Sequence, residues 1–460
     1  VLSHAGLSVT AKGTTLVTDP WLVGSTYWRA WWNYPPVTPE LVDSVHPDFV
    51  YLTHNHWDHF QGVSLRRFPL DTPILVPRGH HQRMRRDLVA MGFTDVRELR
   101  HARTVTLAPG YTITSYHSGP FLDSMLVIEA DGVTVFNATD SKPMGLPLRQ
   151  VLDRHPHIDF VLKSHSSANS RLCYEVVDDP GMPVDDEARY IAGFADFAVR
   201  VGADHAIPFA SNHCFLHKDV FAFNDTVKTP RMVQQHFEDR AITSPHLQIM
   251  VSGDSWSSDD GFHIADQDWF DDRPTHLEAY RASVQDKLDA FYRTEADTVI
   301  TVDDLRAYFD RFARAVPWPV RRWFKGHPIV YVLAAGDRRW VFEVDLYRRS
   351  VRELDEATDE HHPIQIHTGA YVMLRCMDSD LFSHLAISKR VRYRVTVASR
   401  RYVQALNLAF NLYEYDYLPL RKVLTVRQLT NWAVRWRELV LYLRIAVDVA
   451  RGRGLDPARY

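Results

Sequence analysis

Cysteine is scarce in this chain: Cys173, Cys214 and Cys376 are the three among 460 residues. Thiols so few and so scattered cannot form a disulfide framework, and a reducing cytoplasm is the expected setting. Long apolar runs are missing too. No stretch reaches the roughly 20 residues that a bilayer span requires, and the visible start shows no secretory pattern. Val1 reads as lying inside a strand, so further residues upstream are expected. Charge of one sign is not in excess either. With 53 Lys and Arg against 57 Asp and Glu the formal net charge is −4, which speaks against bulk binding to nucleic acid. There is no internal repeat and no low-complexity tract. What is present is a 45% hydrophobic composition, enough to fill the cores of two domains or of one large domain with an appendage.

The densest chemistry lies in Leu52-Thr53-His54-Asn55-His56-Trp57-Asp58-His59, directly after the apolar run Phe49-Val50-Tyr51. Alternate residues leaving a strand point the same way, so His54 and His56 can hold one metal, while Asp58 and His59 face a second. Imidazole suits Zn, Fe or Mn, and a carboxylate favours harder ions of higher coordination. Two such ions can share a bridging hydroxide, or bind O2 between them when they are iron. The pattern H-x-H-x-D-H resembles the metal loop of the metallo-β-lactamase fold. That fold requires a further His, a bridging carboxylate and a last His. His117, ending a β-like run, is the expected third ligand of the first ion. Asp140, ending the hairpin built on the Asp131-Gly132 turn, is the expected bridge. For the last ligand His165, His213 and His217 compete, each after an apolar run. His213 is favoured because it follows a Pro-containing strand, leaving His165 and His217 as supporting or substrate-facing groups.

Organisation changes twice along the chain. Residues 1–255 alternate short β-like runs with helical stretches such as His81 to Met91 and Asp186 to Val201, as in an α/β fold of the αβ/βα sandwich type. The polar segment Ser255 to Gly261 marks a boundary. Residues 256–320 read as a helical connection, with helices near Thr275 to Tyr292 and Val302 to Ala315, closed by Pro317-Trp318-Pro319. Residues 321–460 read as an α+β extension, with strands in Ile329 to Leu333 and Trp340 to Val344. It ends in an amphipathic helix, where Arg437, Arg444, Asp448 and Arg451 stand opposite Trp436, Leu439, Val440, Leu443 and Val447. That apolar side is expected to pack on its own domain or on a second copy, and membrane contact is not expected.

A wider resemblance rests on Ser3-His4-Ala5-Gly6, Thr18-Asp19-Pro20-Trp21-Leu22-Val23-Gly24 and Trp31-Trp32, followed by the metal loop, His117, Asn137-Ala138-Thr139-Asp140 with Pro143, and Pro208-Phe209-Ala210. More weakly it takes in Leu381 to Arg394. Together these residues are similar to CMP-N-acetylneuraminate hydroxylase, which hydroxylates the N-acetyl group of a nucleotide-linked sialic acid. The resemblance implies a metallo-β-lactamase domain, an α/β C-terminal extension, and an oxygenase using iron, O2 and electrons from a Rieske centre. Two departures stand out. A Rieske cluster needs Cys-x-His and Cys-x-x-His, and this chain has one Cys-x-x-His, Cys214 with His217, and no Cys-x-His. The donor would then be a separate Rieske or ferredoxin-type protein, an upstream segment, or the substrate itself. The hydroxylase pattern also lacks histidines at the positions of His165 and His213, while His217 has a counterpart.

Around this set, Asp19 is placed to orient a ligand histidine through a hydrogen bond. Trp21, Tyr27, Trp28, Trp31 and Trp32 form an aromatic cluster that can wall a pocket or fill a core. His4, Lys163 and His217 are the other expected neighbours of the site, and Arg29, Lys142, Arg171 and Lys218 are anion contacts or solvated charges. Three functions follow. The first is a dinuclear iron oxygenase acting on a small molecule, with Asp58 and His165 handling protons. The second is a metallo-hydrolase of a phosphoester, lactone or amide, with Asp58 or a nearby His at the attacking hydroxide. The third is a metal-stabilised binding module. Iron is favoured, with Zn or Mn as alternatives, and homo-oligomerisation is left open.

Overall fold

The computed structural model describes residues 1–119, 123–143, 145–166, 170–182, 188–265 and 269–450. Two sheets face each other. The first runs in the order Leu7–Ala11, Thr14–Thr18, Phe49–Tyr51, Ile74–Pro77 and Val96–Leu99. The second is seven-stranded and runs His246–Leu247, His205–Phe209, Phe160–Ser164, Val133–Thr139, Asp123–Ala130, Tyr111–Ser118 and Arg103–Ala108.

Period-two alternation builds the layers. Leu16, Tyr51 and Leu75 of one sheet meet Ile113, Leu126, Ile128, Leu162 and Ile207 of the other in a shared core. On the outer face of the first sheet, Val17, Val50, Ile74 and Val76 pack under Val42, Leu65 and Leu88 from helices. On the outer face of the second, Met125, Val127, Phe136 and Val161 pack under Leu148, Val151, Phe194 and Val233. The result is the αβ/βα sandwich implied by the sequence pattern, with the strand ends that carry the site gathered at one edge.

A third sheet belongs mainly to the C-terminal half, in the order Tyr174–Val176, Val391–Val395, Ile364–Gly369, Ile329–Ala335, Arg338–Asp345 and Ser350–Leu354. Its first strand comes from the N-terminal half, pairing Tyr174 in parallel with Tyr393. Trp21, Tyr27, Trp28 and Trp31 share one core with Phe309, Tyr331, Met373, Phe382 and Phe410. The early tryptophans are thus mortar between the two halves. No helix among the described residues is long and apolar enough to cross a membrane.

Several element readings change. Val1 precedes the first strand instead of lying within it. The stretch from Thr275 to Tyr292 is two helices, Arg273–Ser283 and Gln285–Asp297, broken at Val284, whose side chain turns into the core. Pro317-Trp318-Pro319 opens the helix Trp318–Trp323 where a stop is expected, because proline in a first turn forfeits no hydrogen bond. Ser255 to Gly261 forms a small hairpin with Phe262 and His263. Val302–Ala315 has the bounds read from sequence, and Thr301 and Asp304 close its capping box. Two further helices are Arg83–Ala90 and Ala188–Val201, and Asp186 lies outside the described residues.

In the last helix, Trp436–Ala450, the apolar side does not pack on its own domain, while Arg437 and Arg444 are exposed as expected. Trp436, Val440, Leu443 and Val447 are exposed, while Glu438 is buried with Arg435. The cause is an ion pair between Arg435 and Glu438 that is joined by His101 and anchored on the Gly119 carbonyl, so this pair faces the sandwich. Arg451 and the side chain of Asp448 lie outside the described residues.

Candidate metal centre

Asp19 follows the strand Thr14–Thr18 with a left-handed backbone, φ 43°. Its N–H donates to the Tyr51 carbonyl at 3.0 Å, which draws the chain beneath the metal loop. The fully buried carboxylate accepts from the Thr53 N–H at 2.8 Å, the Thr53 hydroxyl at 2.7 Å and His59 Nδ1 at 2.8 Å. Because the Thr53 proton goes to Asp19, Thr53 Oγ1 is left to accept from His54 Nδ1 at 3.0 Å. One carboxylate therefore fixes both rings with Nε2 directed outward.

His54 Nε2 and His56 Nδ1 face each other at 2.9 Å. Burial and neighbouring histidines push both rings down to about 4, so they are neutral imidazoles in neutral solution. His59 is the opposite case. Burial lowers its affinity for a proton, but Asp58 and Asp19 reverse this and hold the ring well above the ordinary histidine range. Its Nε2 lies 3.3 Å from Asp140 Oδ2 and 3.5 Å from Asp58 Oδ2. A proton there stands where a cation would stand, and metal binding would release it.

Asp58 is held at both oxygens. Oδ1 accepts from the Tyr27 hydroxyl at 2.5 Å, and Oδ2 lies 3.1 Å from His4 Nε2. Tyr27 reaches it from an unusual turn in which Tyr27, Trp28 and Arg29 all have left-handed backbones, with φ of 50°, 56° and 63°. Each such residue costs about 1–2 kcal/mol, and strain of this kind gathers at functional sites. Asp140 follows a register shift between Asn137 and Thr139, and Thr139 has φ 41°. The bulge turns the Asp140 carboxylate toward His59, whose bond and charge overcome the effect of burial and hold Asp140 below the usual carboxylate range.

At this site two groups of three have their ligand atoms within 4.8 Å of one another, His54, His59 and Asp140, and His4, Asp58 and His59, while a third such group, His157, Asp159 and Asp204, is largely exposed. Buried nitrogens without partners surround the first two, both nitrogens of His165 and Nε2 of His384 among them. Neutral imidazoles, carboxylates and unpaired nitrogens in one buried place suit two N/O-bound cations.

The other expected residues stand further out. His117 donates from Nε2 to the Leu99 carbonyl at 3.1 Å, with Nδ1 left unprotonated. His213 stacks on Trp31 with centroids 3.7 Å apart, donates from Nδ1 to the Ser211 carbonyl and lies beside His4. His217 turns away to Glu295 at 3.0 Å. The Lys163 ammonium donates to the Ser141 carbonyl at 2.7 Å, and burial lowers it to about 8 although Asp140 pulls the other way. Trp31 donates to the Ile387 carbonyl, and Trp32 packs with Cys214 and Leu277. Lys142, Arg171 and Lys218 are exposed, while Arg29 is half-buried and bonds Ser25.

Residues that sequence reading passed over also meet here. His384 arrives from the C-terminal half, with its ring 5.5 Å from that of His56 and 4.9 Å from that of Trp57. Tyr415 donates to Asn55 inside the metal loop at 2.8 Å. Burial and Asp140 raise the Asp123 carboxyl, while His56 lowers it. Neither His384 nor Tyr415 carries a local pattern that sets it apart from other helical residues.

Residues 14–181 match the model of the Beta-lactamase superfamily domain. Among curated proteins, one from Mycolicibacterium smegmatis with the provisional name of a Rieske 2Fe-2S iron-sulfur protein is 27% identical over 54% of this chain and 49% of its own length. The cytidine monophosphate-N-acetylneuraminic acid hydroxylase of Mus musculus is 26% identical over 31% of this chain and 26% of its own. The chain thus spans about half the length, or less, of these relatives. The solved isothiocyanate hydrolase from Delia radicum gut bacteria covers 54% of this chain and 94% of its own, with 17% identity and a TM-score of 0.39. With its paired sheets and its H-x-H-x-D-H loop, the segment from residue 14 to 181 is a domain of the metallo-β-lactamase superfamily.

Proposed function

We propose that this chain is a dinuclear metal-dependent oxygenase of a small molecule, using iron and O2 with electrons from an external donor of Rieske or ferredoxin type. The observation that carries this reading is the convergence of the buried His54, Asp58 and His59 with the half-buried His56 and Asp140, in a chain whose relatives bear the names of a hydroxylase and a Rieske iron-sulfur protein. His54 and His56 would hold one ion, Asp58 and His59 the other, and Asp140 would lie between them, with His117 and His213 as flanking donors. Bound there, iron supplies redox chemistry with O2. The chain's own residues do the rest. Asp19 keeps the ring tautomers ready for ligation, Tyr27 and His4 fix the Asp58 carboxylate, and buried aromatic residues keep bulk water away. His165, buried with both ring nitrogens unpaired, and Asp58 are the groups assigned to proton handling. The division at 255 and 320 belongs to the same proposal, as does a cytoplasmic setting.

The same ligands could hold zinc and a hydroxide for hydrolysis, so metal identity is the test. The protein is expressed in iron-supplemented medium and analysed for metals, and its optical spectrum is followed through reduction and exposure to O2. About two irons per chain and an O2-dependent spectral change are expected. Zinc in that amount, unmoved by iron supply and silent to O2, would overturn the oxygenase and put the hydrolase in its place.

A further inference from the structure

We propose that His384, from the C-terminal half, shares a cation with His56, so that the metal centre is completed across the two halves of the chain. The inference rests on the metal-binding reading above and adds a residue to it.

His384 is fully buried, and its Nε2 has no hydrogen-bond partner. A buried ring nitrogen left unpaired is rare and calls for a partner. The surroundings narrow what that partner is. The ring lies against Tyr27, Trp57 and His56, with centroids 5.4, 4.9 and 5.5 Å away. Two of these are aromatic walls, and the third is a metal-loop histidine. An imidazole nitrogen binds an ion at about 2.1 Å with its ring centroid about 1 Å behind, so two rings on one ion have centroids about 4.5–6 Å apart. His56 with His384, at 5.5 Å and 85°, meets that condition, as does His54 with His56, at 4.5 Å and 78° on the other side of His56.

The ring is held where it is. It stands on the helix Ser383–Ile387, whose first N–H donates to Glu414 at 2.8 Å and whose last carbonyl accepts from Trp31 Nε1 at 3.1 Å. Both contacts join the halves of the molecule or brace the helix against them. Other imidazoles with unpaired nitrogens are placed differently, His81 for one lying against Tyr415. His4 faces Asp58, and His165 lies against Phe194.

The test is Co(II) binding to the purified full chain, followed by its visible bands and by competition with a chelator, for wild type, His384→Ala, His384→Gln and His54→Ala. Wild type is expected to bind about two ions. In His384→Ala one ion should weaken by at least about tenfold, given that even outer groups contribute that much. Its bands should shift, and added imidazole should restore them by filling the vacated place. Thermal unfolding without metal identifies a variant that does not fold, and His384→Gln then carries the test. If both variants keep two ions with unchanged affinity and bands, His384 is no ligand, while the metal centre stands. Wild type that takes up no metal would overturn the centre itself, and this proposal with it.

Discussion

Asp19 shows how far one side chain governs the site. It receives hydrogen bonds from Thr53 and His59, and through the Thr53 hydroxyl it also sets His54. Outer groups of this kind contribute about 10–100-fold to metal affinity. Asp19→Ala is therefore expected to weaken metal binding by about that factor, measured by chelator competition, with secondary structure retained in circular dichroism. An unchanged affinity in a folded variant would remove Asp19 from this role. The sequence reading placed Asp19 beneath the loop because an early strand must end there. The partner it would choose was not legible, since each of the loop's three rings, His54, His56 and His59, offered a donor.

At the scale of elements, the helix Arg400–Glu414 ends in a buried carboxyl that braces Ser383, next to His384. Burial raises Glu414 from 4.5 to about 7, against the hydrogen bond from Ser383, which lowers it. Below about pH 4.5 the carboxyl is neutral in folded and unfolded chains alike, so it carries no penalty. As pH rises toward 7 the unfolded chain gives up the proton while the folded one keeps it, and stability falls. The full loss, about 3 kcal/mol for that gap, is reached above pH 7. Glu414→Gln should remove the loss. Denaturant unfolding of the metal-free chain at pH 5 and pH 8 should give a difference smaller by about that amount in the variant. An equal difference in both proteins would show that Glu414 ionises freely. The left-handed turn at Tyr27 to Arg29 belongs to this scale too. No glycine or asparagine advertises it, so local sequence rules could not find it.

Across the whole molecule, Arg390 ties the halves together. Buried beside the strand Val391–Val395, it donates to the Trp28 carbonyl at 3.1 Å, to Glu295 at 2.7 Å and to Asp219 at 3.1 Å. Asp219 is half-exposed and adds little. Glu295 is largely buried, and losing its partner leaves it with His217 alone. Arg390→Ala should therefore cost about 3 kcal/mol in denaturant unfolding. Arg390→Lys should recover little of this, because an ammonium cannot reach a carbonyl and two carboxylates in one plane. Full stability in Arg390→Ala would mean that the halves are joined by packing alone.

The sequence determined the parts whose causes are local. Strand alternation gave the two sheets, the Asp131-Gly132 turn gave the hairpin that leads to Asp140, Thr301 and Asp304 started their helix, and the H-x-H-x-D-H spacing marked the loop proposed to bind metal. Only the tertiary structure decided what depends on distant residues meeting. It sent His217 to Glu295, pressed His213 onto Trp31, buried the Glu438 side of the last helix, and brought His4 and His384, some 380 positions apart in the chain, to the same loop. The physical reason is that periodicity and capping act within a few residues, while a histidine's role depends on which donor, ring or carbonyl lies opposite it once both halves share one core.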